Sequence, residues 1–186
     1  MITEAIAIAP DVLMRPATLD DAGTLCQAYL HSREYLRPWE PRRSEVFFTP
    51  AGQHTRLRDL LAQRQAGQTM PWLLAGSAEI VGAVTLSNIA MGPFRSAHLG
   101  YWIGVDHAGR GLATAAVTHA CRLADELIGL HRVEAGTVLD NKASQQVLAK
   151  CGFDPIGTAP NYLHIDGTWR DHHLFQKILN DRPPVL

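Results

Sequence analysis

The segment from His98 to Ile128 narrows the choice of folds more than any other part of the chain. His98 to Val105 reads as a strand, Gly109 and Gly111 punctuate a loop, and a long helix follows from Gly111 to Ile128. The helix carries Ala113, Ala116, Val117, Ala120, Ala124 and Leu127 on one apolar stripe and stops at Gly129. Such a helix needs a sheet to cover, which makes the chain a layered protein of strands and helices. The loop is also a ready anion site. Glycines let the backbone approach a ligand, successive N–H groups converge, and the free amides at a helix start favour negative charge. Arg110 adds a cation. No Gly-Lys-Ser/Thr follows, so this is not a P-loop, and the G-x-G is not completed as a dinucleotide fingerprint. The glycines would equally serve a plain tight turn.

The rest of the chain extends the pattern. Leu13–Arg15 reads as a short strand, and Thr18 with Asp21 resembles an acidic capping box opening a helix through Leu30. Arg33 to Arg43 reads as irregular, Thr49-Pro50 starts a helix to about Ala66, and Gly67 stops it. Trp72–Ala75 and Ile80–Ile89 form a hairpin around Gly76-Ser77. Val133–Val138 is a buried strand, Ser144–Lys150 a short helix ending at Gly152, and Ile156–Ile165 with Trp169–Ile178 a closing hairpin around Asp166-Gly167. The order predicts an α+β (α/β) domain with a mixed, mostly antiparallel twisted sheet of about seven strands and about four helices. One domain is expected over residues 1–186, with its core at 13–179 and disorder-prone ends, notably Arg182-Pro183-Pro184.

Composition excludes several classes. Apolar residues at 46% and charged residues at 19% match a globular chain, and a net charge of −1 gives no general field for nucleic acid or anionic lipid. No apolar run is long enough to span a membrane, and the first segment has Glu4 and no basic n-region, which argues against a secretory signal. Cys26, Cys121 and Cys151 are an odd number without CxxC spacing, so they read as reduced thiols, and a cytoplasmic protein is expected. No metal is expected. The one close histidine pair, His172-His173, points to opposite faces of its strand.

Asn141 at a strand end and Ser144 three residues later could each cap a helix or meet an amide-bearing ligand. Their combination with the upstream loop matches a known pattern. Residues 13–179 resemble the GNAT acetyltransferase superfamily, most closely its RimJ/RimL group of ribosomal-protein-alanine N-acetyltransferases. The resemblance rests on Ser32 to Pro41, Leu86-Ser87-Asn88, Leu99-Gly100-Tyr101, Gly109 to Leu112, His131-Arg132, Asn141-Lys142 and Tyr162 to His172. It implies acetyl-CoA as co-substrate, with the backbone of Ile103 and Val105 on the pantetheine arm. The pyrophosphate would meet the amides of Gly109, Arg110, Gly111, Ala113 and Thr114, and Asn141 would lie on the pantetheine side. Ala108 departs from the Gln/Arg common at its place in family loops.

The resemblance also offers Ser144 as the acid for the leaving thiolate. No residue declares itself as the base, and Glu134, acting through water, is the choice here over Glu40 and His164. Arg33, Trp39, Glu40, Asn88, Tyr162 and Trp169 are assigned to the acceptor. Trp39 and Trp169, with Phe94, would otherwise be ordinary core, and Arg33 and Arg37 a solvated rim. An acceptor α-amine, with a pKa of about 7.7–8.0, needs little help to lose its proton, whereas lysine at about 10.4 needs a strong base. The expected function is therefore acetylation of the N-terminus of a protein, a ribosomal protein by the resemblance, with no membrane or specific nucleic-acid partner; a homodimer is compatible. The alternatives are an aminoglycoside or polyamine N-acetyltransferase, disfavoured by a basic segment at Arg33–Arg43, and a non-catalytic acyl-CoA-binding module.

Overall fold

The computed structural model describes residues 4–184, so the extreme ends at 1–3 and 185–186 lie outside it. Eight strands form one sheet: β1 Ile6–Ala9, β2 Val12–Pro16, β3 Met70–Ala75, β4 Ile80–Ala90, β5 Ser96–Ile103, β6 Arg132–Val138, β7 Asp154–Ile165 and β8 Thr168–Ile178. Their order across the sheet is β1-β2-β3-β4-β5-β6-β8-β7. Every neighbouring pair is antiparallel except β5 and β6, which run parallel because α4 carries the chain back between them. The helices are α1 Ala22–His31, α2 Arg33–Leu36, α3 Pro50–Gln65, α4 Leu112–Leu123 and α5 Lys142–Lys150.

Both faces of the sheet are covered over part of its width, as the consecutive buried pair Leu73 and Leu74 requires. Leu74, Val84, Leu99, Val133 and Phe175 pack with Ala116, Val117 and Ala120 of α4 on one face. Leu73, Ile80 and Trp102 pack with Leu25 and Tyr29 of α1 and Leu57 of α3 on the other. The apolar residues packed against α1 and α3 come from β3, β4 and β5, so the β6-β8-β7 side of that second face carries the site.

Four sequence expectations are revised. β1 precedes the first expected strand, with Ile6 and Ile8 packed on the core. The stretch after Arg33 is helical, since α2 runs into a 3-10 turn at Arg37–Trp39. The end of the α4 stripe is displaced: Ala124–Ile128 forms a π turn, whose extra residue shifts the helical phase. Leu127 is therefore exposed, and Ile128 packs on the core instead. The C-terminal tail is tethered, with Arg182 on Asp125 and the Pro183 carbonyl accepting from Arg95.

The opening of α1 depends on one buried carboxylate. Asp21 accepts from the Thr18 N–H at 2.8 Å and hydroxyl at 3.0 Å, and from both terminal nitrogens of Arg15 at 3.0 and 2.5 Å. Burial would raise the Asp21 carboxyl, but these donors outweigh it and hold it below the usual carboxylate range. A depressed folded pKa contributes stability above the unfolded value near 3.9, lost as pH falls through the folded one. Asp21→Asn is expected to cost about 2–4 kcal/mol in urea unfolding at pH 7, because it leaves Arg15 without its partner. The difference between the two proteins should shrink below about pH 4 as the wild-type carboxyl protonates.

Candidate active site

The site begins where β5 and β6 part. Their pairing covers only Ser96–Arg132, Ala97–Val133 and His98–Glu134, yet β5 continues to Ile103 and β6 to Val138. Beyond His98, β5 stays bonded to β4, and β6 stays bonded to β8, so a gap opens between them. Strand alternation says what faces the gap. The Arg95 carbonyl accepts from the N–H groups of His131 and Arg132, and the Gly104 N–H donates to Val81, so odd-numbered β5 residues turn their backbone toward β6. Past the last pair, Tyr101 and Ile103 thus present a strand edge to the gap. Val105 is different. It lies in a 3-10 turn, with its N–H given to the buried Ser32 hydroxyl at 3.2 Å and its carbonyl taken by Ala108, so its backbone is engaged within the protein.

The glycine loop closes one end of this gap. Gly109 and Gly111 have φ of +76° and +79°, where a side chain is strained, and a Cβ at either would meet nothing within 4 Å. Gly111 is the N-cap of α4, and no side chain caps that helix start. The amides of the first turn, including those of Ala113 and Thr114, therefore await an acceptor. Open space, a positive helix end and an unpaired strand edge together suit a ligand with a pyrophosphate and an amide-bearing arm. Arg110 is not a free cation: it holds Asp11 with contacts of 2.7 Å to each carboxylate oxygen.

On the α4 face of the gap, Asn141 caps α5 by accepting the Ser144 N–H at 3.0 Å. Ser144 is then not the cap, and its Oγ meets the Tyr101 hydroxyl at 2.7 Å. Burial pushes Tyr101 up to about 12, so it stays protonated. Tyr101 had no role in the sequence reading. The available signal was a phenol alternating with Leu99 and Ile103 on a core-facing strand, where its O–H needs a partner.

The other face carries the acceptor-side residues. Asn88 on β4, held at a left-handed φ of 51°, contacts His98 Nδ1 at 3.1 Å, and His98 Nε2 contacts Glu134 at 3.2 Å. Glu134 also pairs with Arg132 at 2.5 Å. The expected base is thus a carboxylate with both oxygens already engaged, Oε1 by the Arg132 guanidinium and Oε2 by the His98 imidazole. Nearby, a cavity of about 530 Å³ opens between α1, α2, the 40s loop and the β7–β8 turn, with Tyr29, Arg33, Glu40 and Phe48 among its walls. Burial raises the Glu40 carboxyl, and its ion-pair contact to Arg43 is long, at 3.9 Å.

Arg33 bonds Glu45 and stacks over Phe48 at 4.2 Å, and Arg37 bonds Glu34. The cavity walls include four arginines and four carboxylates, so the rim expected to be basic is balanced. Trp39, Phe94 and Trp169 are 36%, 53% and 62% exposed, which removes their alternative as core, and Tyr162 is exposed as well. His164 packs edge-on against Trp169.

Comparison with known proteins agrees with this geometry. Residues 11–154 match the family model described as an acetyltransferase (GNAT) domain. The [ribosomal protein uS5]-alanine N-acetyltransferase of Escherichia coli is 38% identical over 156 residues, covering 83% of this chain and 80% of that protein. The crystal structure of a ribosomal-protein-S5-alanine acetyltransferase from Vibrio fischeri superposes with a TM-score of 0.92 at 33% identity, over 97% of this chain and all of that one. RimJ of Mycobacterium smegmatis, in complex with CoA-disulfide, gives 0.86 at 33% identity, over 90% of this chain and 81% of that one. A parted parallel pair beside an uncapped glycine-loop helix and a match across most of the chain lead to one conclusion: the chain belongs to the GNAT acetyltransferase family and is an acetyl-CoA-dependent N-acetyltransferase.

Proposed function

We propose that the acceptor is the N-terminal α-amine of a protein, and specifically of a ribosomal protein of the uS5 type, in the cytoplasm. The observation that carries this reading is the Glu40 cavity together with the exposed Trp39, Tyr162 and Trp169. A partly buried carboxylate without a close counter-ion gains most from an arriving ammonium, and flat aromatic surface suits an extended chain behind it. The 38% identity to an enzyme named for the alanine of uS5 supports the same acceptor class. With the rim charges balanced, charge alone gives no reason to exclude a polycation, so discrimination rests on the acceptor's shape and on its amine.

Acetyl-CoA supplies a thioester whose carbonyl the amine attacks. Gly109, Arg110, Gly111, Ala113 and Thr114 hold the pyrophosphate through backbone amides, and Ile103 offers its strand edge to the pantetheine arm. Asn141 shapes the same wall by capping α5. Ser144 stands ready on the α4 face as proton donor to the departing sulfur. Tyr101 is its positioning residue: its hydroxyl lies 2.7 Å from Ser144 Oγ and 3.2 Å from the Ser144 carbonyl, which holds the serine in place at the gap.

Ser144→Ala is expected to lower kcat by about 10²-fold with the acetyl-CoA Kd within about twofold, because the interaction strengthens only as thiolate charge develops. Tyr101→Phe should lower kcat by a smaller factor, about three- to tenfold, since the serine remains. Single-turnover kinetics with calorimetric Kd values check both, and a wild-type rate in Ser144→Ala would make the serine a structural group.

The acceptor is tested with peptides. An Ala-initiated peptide with a free N-terminus should be acetylated, with kcat/KM rising with pH toward the α-amino pKa of about 7.7–8.0. The same peptide blocked at its N-terminus but carrying lysines should be inert. Equal rates for the blocked peptide, or for an aminoglycoside or polyamine, would overturn the α-amine reading.

A further inference from the structure

Glu134 being held by Arg132 and His98 leaves the reaction in need of a proton acceptor, and the β6-β8 face supplies another group. His172 on β8 is only 3% exposed. Its Nδ1 lies 2.9 Å from the Arg170 carbonyl, which has no proton to give, so Nδ1 is the donor and Nε2 carries the lone pair. No hydrogen bond engages Nε2 among the described residues. The ring's Cδ2, bonded to Nε2, is 3.6 Å from where a Cβ would stand on Gly136, so this edge of the imidazole is turned toward β6 beside the gap.

The second observation is the floor. Continuing the β5–β6 register from His98–Glu134 by two residues sets Gly100 across the gap from Gly136. Both glycines point to the acceptor face, Gly100 between His98 and Trp102 on β5 and Gly136 beside Glu134 on β6. Neither needs a positive φ, and a Cβ on Gly100 would meet nothing within 4 Å. A strand pays conformational entropy for a glycine, and Gly100 has no folding reason to be one. Glycine at such a position marks close approach of a ligand.

We propose that the acceptor amine reaches the thioester over the Gly100–Gly136 floor and gives its proton to His172 Nε2. This rests on the α-amine reading above and assigns the path and the base within it. The amine nitrogen bonds to the carbonyl carbon as its proton passes to Nε2, and the C–S bond breaks with the electron pair leaving on sulfur. Sulfur takes the Ser144 proton on the opposite face, Ser144 is reprotonated from solvent, and His172 returns its proton to solvent. The groups around the imidazole are the Tyr162 ring from β7 at 5.4 Å, uncharged Gly136 and Val138 from β6, and Arg170, paired with Asp140, on its own strand. Glu134 lies farther along the same face of β6, tied to Arg132 and His98.

Two variants test it. Gly100→Val adds a β-branched side chain to an open strand position, so its melting temperature should be unchanged or higher. Its kcat/KM for an Ala-initiated peptide should nevertheless fall about tenfold or more, with less loss for a slimmer Gly-initiated peptide. His172→Asn can keep the hydrogen bond to Arg170 but has no Nε2. Its kcat should fall about 10²-fold at neutral pH, and the rising limb of kcat against pH should disappear. Wild-type kinetics in Gly100→Val would remove the floor. A wild-type kcat and pH profile in a folded His172→Asn, with the loss appearing in Glu40→Gln instead, would make Glu40 the base. If the wild type prefers another amine, the same variants measured with that amine decide the path, and only the α-amine reading falls.

Discussion

Everything in the site depends on the three-pair contact between β5 and β6. The two strands meet at residues 96–98 and 132–134 and then part, each remaining bonded to its other neighbour. An unpaired strand edge inside a sheet carries backbone donors and acceptors that water or a ligand must satisfy. This protein places that edge beside the uncapped start of α4, so one ligand with both an anionic end and an amide-bearing arm can satisfy both. Had the pairing run to Ile103, no room for a thioester would exist, and the glycine loop would be a plain turn.

The parting also divides the chemistry by face. Odd-numbered residues of β5 turn their side chains to α4 and α5, which is where Tyr101 meets Ser144. Even-numbered ones, His98, Gly100 and Trp102, turn to the α1 and α3 side, where Trp102 packs on Tyr29 of the cavity wall. A leaving group protonated from one side and a nucleophile arriving from the other is what acyl transfer requires, and alternation along two strands provides it without any special loop.

Much of this was legible in the sequence because strand and helix periodicities are local. The strand, glycine loop and helix start from His98 onward could be placed from pattern alone, whereas Asn141 and Ser144 both fit the cap of α5 and only the structure chooses Asn141. What escaped was set by tertiary context. Leu127 fits the stripe of a regular helix, and only the π turn moves Ile128 into its place. The stretch from Arg33 to Arg43 reads as a basic rim because Glu45, which pairs with Arg33, and Asp166, which adds a contact of 3.8 Å to Arg37, lie outside it. Glu134 looked like a base for the same reason: its contact with His98 depends on a parallel register that adjacency in sequence does not reveal. The role of Tyr101 escapes a local reading because its partner Ser144 is 43 residues away.

The central claim is that the β5–β6 gap receives acetyl-CoA, and backbone hydrogen exchange tests it most directly. In the free protein the amides of Tyr101 and Ile103, facing the gap without strand partners, should exchange faster than those of Gly100 and Trp102, which are bonded to β4. Saturating coenzyme A should slow exchange at Tyr101 and Ile103 and across Gly109–Thr114, while leaving the β1–β2 hairpin unchanged. Protection confined to other segments, or unchanged exchange along β5 and the glycine loop at saturation, would contradict the account.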